Sequence, residues 1–322
     1  MDAATVRAEA VPEVAPIKVI DLVTPNSKEV SPVVSGVALD SSGKILAAVG
    51  DDHLVRILDL EKGEVLSRRK SHTDWGKAAV FRPDGKLLVT TGDDRRVRLW
   101  DPLGQTGSQD LAEQPQPIYR LAYSADGQML ATAGFDDKIR LYEMAKGSLF
   151  CDQPAPGADI RALCFSPDGT LLAAAGRIGL VRVWNTSDCS QRFNVKASPR
   201  RICAMAYSPD SKILAVAGQE RTIRLLDAST GKTVADLPER PGEVLSLCFC
   251  GPDLLASSGS RNVIYLWNIS TRQESCRFVG HTGSVTTLAY HNEANTLISG
   301  SYDTTVRLWN IKDISQEKVT RR

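Results

Sequence analysis

Hydrophobic and polar positions alternate along this chain in short runs, and the runs recur. Seven apolar tetrads close them, VRIL, VRLW, IRLY, VRVW, IRLL, IYLW and VRLW, with last residues at 58, 100, 142, 184, 226, 267 and 309. Successive ends lie 42, 42, 42, 42, 41 and 42 residues apart. Each unit reads as an alternating run, a turn, a second run ending in small residues, a tight Asp-centred turn and then the tetrad. Period-two alternation in runs this short belongs to half-buried strands, so the unit is almost wholly β. A repeat of about 40 to 45 residues carrying four short strands is the size of a propeller blade. The expected fold is therefore all-β, a seven-bladed β-propeller of four-stranded antiparallel blades.

The punctuation agrees with this reading. Pro83-Asp84-Gly85, Ala125-Asp126-Gly127 and Pro167-Asp168-Gly169 fall at one offset, with Ser42-Gly43, Pro209-Asp210-Ser211 and Pro252-Asp253 as variants. All favour tight reversal. Small residues follow, as in Leu171-Leu172-Ala173-Ala174-Ala175-Gly176, which lets neighbouring sheets approach closely. A ring must also fasten its last blade. Ile17 to Val23 is a strong β run ahead of the first unit, whereas Gln316 to Thr320 is poor strand material, so closure is expected from the N-terminal strand. The expected organisation is a flexible tail over residues 1–16, a single propeller over 17–315 and a flexible basic tail over 316–322.

Two units carry the same polar set at the same offsets: His72, Thr90, Asp94, Trp100 and His281, Ser299, Asp303, Trp309, spaced by 18, 4 and 6 residues. Equal spacing predicts shared geometry. With Trp100-Asp101, the near-matches Trp184-Asn185, Trp267-Asn268 and Trp309-Asn310, and the openings Ser71-His72 and Gly280-His281, the chain resembles the WD-repeat family of seven-bladed propellers over roughly residues 17 to 315. The resemblance implies a hydrogen-bonded chain in each set, from indole N–H through hydroxyl and imidazole to the turn carboxylate. His, Ser and Asp could also be read as a hydrolase triad. The set occurs twice, and each hydroxyl also faces a Trp, so structural stapling is the better account. The other units depart from the pattern and are expected to rely more on apolar packing.

Composition removes several classes of function. The 322 residues hold 39 Lys plus Arg against 38 Asp plus Glu, a net charge of +1 that offers no global argument for nucleic acid or an anionic membrane. No apolar run approaches membrane-spanning length, and Met1 to Pro16 has neither a basic nor an apolar leader region. Seven cysteines, Cys151, Cys164, Cys189, Cys203, Cys248, Cys250 and Cys276, show no CxxC and no nearby histidine cluster. That is neither a disulfide framework nor a zinc pattern, and predicts a reduced, cytoplasmic protein with no metal and no cofactor. Cys164 and Cys248 fall where other units have Ala and read as small core residues.

With no catalytic constellation, partners must be sought on the faces of the ring. The resemblance implies three positions per unit on the narrower face around the channel: two on the first strand and one before the turn Asp. Carried over by alignment, the informative ones are Trp75, Lys77 and Asp93, then Tyr119 and Phe135, then Arg161, Arg177 and Arg201, and finally Tyr302. An aromatic sector thus abuts a basic one. Aromatics and arginines dominate interface energetics, and the patch suits a protein or peptide carrying an apolar anchor and an acidic residue. The expected function is a non-catalytic protein-interaction scaffold. An enzyme or small-molecule binder with its site at the channel mouth is the alternative, and an RNA- or chromatin-associated module a weaker one. The tetrad arginines Arg56, Arg98, Arg140, Arg182, Arg224 and Arg307 recur once per blade and are expected at sheet edges or in inter-blade ion pairs.

Overall fold

The computed structural model describes residues 11–22, 32–104 and 107–312. Among them are twenty-nine strands, β1 to β29 in chain order, arranged as seven sheets that are antiparallel except for the pairing of β1. These are the seven expected blades. Each begins with an inner strand beside the channel: β3 (Val34–Leu39), β7 (Gly76–Phe81), β11 (Ile118–Tyr123), β15 (Ile160–Phe165), β19 (Ile202–Tyr207), β23 (Val244–Phe249) and β27 (Val285–His291). Every inner strand packs against the next, and β27 returns to β3 to complete the circle.

The core is divided, as blade geometry requires. Seven apolar clusters occupy the seven junctions between neighbouring blades, one of them joining Ala173, Val181 and Val183 of blade four to Ile202, Leu214 and Val216 of blade five. The second strands carry the Ala, Ser and Thr runs noted in the sequence, and these small side chains are buried between the sheets. At the 1–2 turns Gly85 and Gly127 sit at φ 72 and 69, where a Cβ is disfavoured. Ser211 takes the same conformation, φ 61, without being glycine, and Asp210 accepts a hydrogen bond from the Lys212 amide at 3.1 Å to complete that turn.

Closure is by the N-terminal strand, as β2 (Lys18–Asp21) pairs antiparallel with β29 (Thr305–Asn310) to complete blade seven. Ile20 of β2 is buried in the cluster between blades seven and one. The tail boundary at residue 16 needs correction. Within that stretch β1 (Glu13–Val14) adds a fifth strand, parallel to β26 (Gln273–Phe278), on blade six. Arg277 and Val279 donate backbone hydrogen bonds to the carbonyls of Pro12 and Val14 at 2.8 and 3.0 Å, and Val14 packs on the cluster between blades six and seven. Residues 1–10 and the basic tail 316–322 lie outside the described residues, as does the competing segment Gln316 to Thr320.

A second correction concerns the cysteines. Cys151, on the outer strand of blade three, is disulfide-bonded to Cys189, in the turn before the outer strand of blade four. Both lie in the cluster between those blades. They are 38 residues apart in sequence and meet only through blade stacking, which no local spacing reveals. The expectation of reduced thiols therefore fails at this pair. Cys164, Cys203, Cys248, Cys250 and Cys276 are free. Cys164 and Cys248, expected as core residues, are only half-buried, and desolvation pushes the Cys164 thiol up to about 12.

Candidate functional site

The two polar sets fold as the resemblance implies. Trp100 Nε1 donates to Thr90 Oγ1 at 2.8 Å, Thr90 meets His72 Nε2 at 2.9 Å, and His72 Nδ1 meets Asp94 at 2.8 Å. In blade seven the corresponding distances through Trp309, Ser299, His281 and Asp303 are 2.8, 2.7 and 2.7 Å. Each hydroxyl accepts from the indole and meets Nε2, and the tautomer in which it donates to Nε2 leaves an Nδ1–H for the carboxylate. Burial lowers the His281 pKa, which agrees with that tautomer. Burial opposes ionisation of Asp303, but hydrogen bonds from the Thr305 hydroxyl, the Thr282 amide and His281 outweigh it and hold the carboxyl at about 2. His72, Thr90, Ser299 and Trp309 are fully enclosed, so these chains brace blades.

Two blades expected to lack such a device have one. Gln114 stands in the imidazole's place in blade three, and its Nε2 donates to the Tyr142 hydroxyl at 2.5 Å. In blade six Trp267 donates to Ser257 at 2.9 Å, and Arg240 fills the histidine position with its guanidinium 4.9 Å from the Tyr265 ring. Burial lowers the Arg240 pKa to about 10. Neither residue resembles histidine, so motif reading passes over both.

The ion pairs of the tetrad arginines lie within single blades rather than between them, and it is hydrogen bonds to carbonyls that reach the neighbouring segments. Arg56, Arg98, Arg140 and Arg307 pair with the turn aspartates Asp52, Asp94, Asp136 and Asp303 four residues earlier. Arg98, Arg182 and Arg224 also donate to carbonyls of Ser71, Pro154 and Ala197, on the segments entering from the preceding blade.

The candidate interaction site is built by one repeated irregularity. In every blade the pairing of the inner strand with its neighbour shifts register after the strand's first residue, leaving the second residue unpaired. The skipped residues are Ser35, Lys77, Tyr119, Arg161, Cys203, Leu245 and Thr286. A β-bulge re-aims a side chain. Here all seven point at one channel mouth, where they line a cavity of about 290 Å³ together with Asp51, Trp75, Arg120, Arg201, Glu243 and Tyr302. Hydroxyls stitch the rim between blades, Ser35 to the Gly76 carbonyl and Thr286 to the Val34 carbonyl at 2.5 and 2.7 Å.

Of the nine residues selected from sequence, Trp75, Lys77, Tyr119, Arg161, Arg201 and Tyr302 line this cavity. Two more support it from behind: Asp93 pairs with Lys77 at 2.9 Å, and Phe135 meets Tyr119 edge-on with ring centres 4.9 Å apart. Arg177 is exposed and does not line the cavity. The aromatic and basic sectors are interleaved rather than adjacent. Lys77 Nζ lies 4.4 Å from the Trp75 ring centre and 5.0 Å from that of Tyr119, and the Arg161 guanidinium lies 3.7 Å from Tyr119. Asp159 holds both Arg161 and Arg201, the latter at 2.9 Å. Trp75 and Tyr302 remain 47% and 51% exposed. Among the described residues no group of three or more His, Cys, Asp and Glu could hold a metal, and no helix is long and apolar enough to cross a membrane.

Seven four-stranded blades, Trp–Ser/Thr–His–Asp braces in two of them and an N-terminal closing strand define a WD-repeat propeller. The chain belongs to the family described as the IFT122 first beta-propeller, whose model matches residues 33–310. Similar curated proteins include F-box/WD repeat-containing protein 10 of Mus musculus, 42% identical over 62 residues, which are 19% of this chain and 6% of that protein. Polycomb protein esc of Musca domestica is 31% identical over 99 residues, 24% of this chain and 23% of its own. The U3 snoRNP-associated protein-like EMB2271 of Arabidopsis thaliana is 41% identical over 56 residues, 17% of this chain and 12% of its own. The matched region thus spans less than a quarter of each of these relatives. WD-repeat propellers are typically protein-interaction scaffolds.

Proposed function

We propose that this ring is a non-catalytic protein-interaction module that holds a peptide or partner domain on its narrower face, over the bulge-lined channel mouth. The observation that carries the reading is the convergence of Trp75, Tyr119, Tyr302, Lys77, Arg161 and Arg201 on one cavity, with the aromatic rings partly open to solvent. Exposed aromatics with arginines stacked beside them supply apolar contact area and directed charge together, the combination from which interface hot spots are made. The ion pairs behind them fix their orientation, which reduces the ordering cost of binding.

Affinity capture from source lysate, read by mass spectrometry, tests this with wild type beside a variant carrying Trp75→Ala, Tyr119→Ala, Phe135→Ala and Arg177→Ala. Far-UV circular dichroism verifies that the variant is folded. Specific proteins held by wild type and lost by the variant support the reading. Equal capture by both forms places binding elsewhere on the ring, and capture by neither removes the scaffold reading in favour of a small-molecule role.

A further inference from the structure

Below the rim cavity lies a smaller chamber of about 140 Å³, bounded by the inner strands of all seven blades. The residue after each bulge faces it. Six of these are small, Gly36, Ala78, Ala162, Ala204, Ser246 and Thr287, and the seventh is Arg120. An arginine where the other blades place such small residues fills space that the ring otherwise leaves open.

The charge inventory of the chamber has one sign. Among the described residues Lys77 and Arg120 are its only charged lining residues, and no carboxylate lines it. Lys77 is neutralised by Asp93 at 2.9 Å. Arg120 donates through Nη1 to the Tyr119 carbonyl at 3.0 Å, and among the described residues it has no carboxylate partner. The carboxylates nearest the mouth, Asp51 and Glu243, line only the outer cavity. Burial and the neighbouring Arg161 charge both lower the Arg120 pKa. Ser246 and Thr287 accept backbone hydrogen bonds from Leu288 and Val37 at 3.1 and 3.4 Å, which leaves each hydroxyl hydrogen for a further acceptor. Leu121, Leu163 and Leu247 supply apolar wall, where an ion pair is stronger than in water.

We infer that this chamber receives one carboxylate, the Asp or Glu side chain of the peptide that docks on the rim, and that Arg120 pairs with it. The inference rests on the peptide-docking reading above. One uncompensated positive charge matches one negative charge, which selects a carboxylate over a doubly charged phosphate. The guanidinium supplies charge-assisted hydrogen bonds that a Gln side chain in the guest would not receive.

The test uses the full chain in two arms. A random heptapeptide library is panned on wild type, Arg120→Gln and Arg120→Lys, and recovered peptides are resynthesised with Glu or Asp replaced by Gln and with phosphoserine at the same position. The expected result is an acidic residue at one fixed position, whose change to Gln costs wild type about tenfold or more in affinity and Arg120→Gln about twofold or less. Arg120→Lys keeps the acidic preference at reduced affinity. Recovered peptides without an acidic preference, an equal Gln cost in Arg120→Gln, or tighter binding of phosphoserine would each overturn the assignment. The second arm titrates sodium acetate and follows the Arg120 Nε–H resonance by NMR. A saturable shift is expected, and its absence overturns the chamber whatever the peptides do. If acetate binds but no peptide is recovered, the chamber stands as a carboxylate site while its guest and the rim reading both fall.

Discussion

The braces of blades two and seven make stability depend on proton binding at single residues. Asp303 has its folded carboxyl at about 2 against 3.8 when free, so its stabilisation is complete above the free value and disappears as pH falls towards 2. His281 acts at higher pH. Above 6.5 neither state carries the extra proton, whereas below it the unfolded chain takes one up and the folded ring resists, so stability falls with acidification. We expect the urea midpoint of the wild type to drop between about pH 7 and about pH 5, and His281→Gln to show a shallower drop from a starting stability lower by about 1 to 2 kcal/mol. A pH series of denaturation curves on both proteins decides it. Arg120 presents the opposite case, a charge whose removal should help the fold. Arg120→Met should raise stability by about 1 kcal/mol in chemical denaturation, because an unpaired cation is replaced by apolar volume. A loss of similar size would mean that the arginine braces the channel.

At the scale of elements, the closing strand is the piece with most to lose. Ile20 is buried at the seam between blades seven and one, and its neighbours there include Val306, Leu308 and Leu58. Ile20→Ala should cost about 3 kcal/mol, visible in chemical denaturation and as faster proteolysis of the ring. A cost below about 1 kcal/mol would show that the seam is held by blade contacts without β2. The blades themselves were plain in the sequence because each strand run alternates and each turn carries its own residues. The aimed side chains could be read only through the resemblance, since a bulge leaves no compositional trace: Lys77 and Tyr119 look like ordinary strand residues. Arg120 was within reach, being the single large residue in an aligned column of Gly, Ala, Ser and Thr. β1 was not, because a two-residue parallel pairing has no pattern of its own and depends on Val14 finding the six–seven cluster.

The whole molecule carries one covalent cross-link in a ring otherwise held by strand pairing and packing. Cys151–Cys189 closes a loop of 38 residues across the junction of blades three and four, and constraint of the unfolded chain by such a loop is worth about 3 to 4 kcal/mol. The Cys151→Ala, Cys189→Ala double variant should therefore unfold at lower denaturant, and reductant should shift the wild type but not the variant. Equal midpoints for the oxidised and reduced wild type would show that the bridge adds no stability. No spacing rule could have found this pair, since the two cysteines belong to different repeats and approach only when blades stack.

The first described residues run along two blades in turn, β1 parallel to the edge of blade six and β2 antiparallel to the edge of blade seven. They form a strap with two buckles of unequal strength: two residue pairs in the first, and four in the second with Ile20 sunk beneath it. Tension drawn through the N-terminus meets the weaker buckle first and can release it while the ring stays shut. Slack gained at blade six thus comes without loss of closure at blade seven, and the ring can yield length at one edge before it yields its circle.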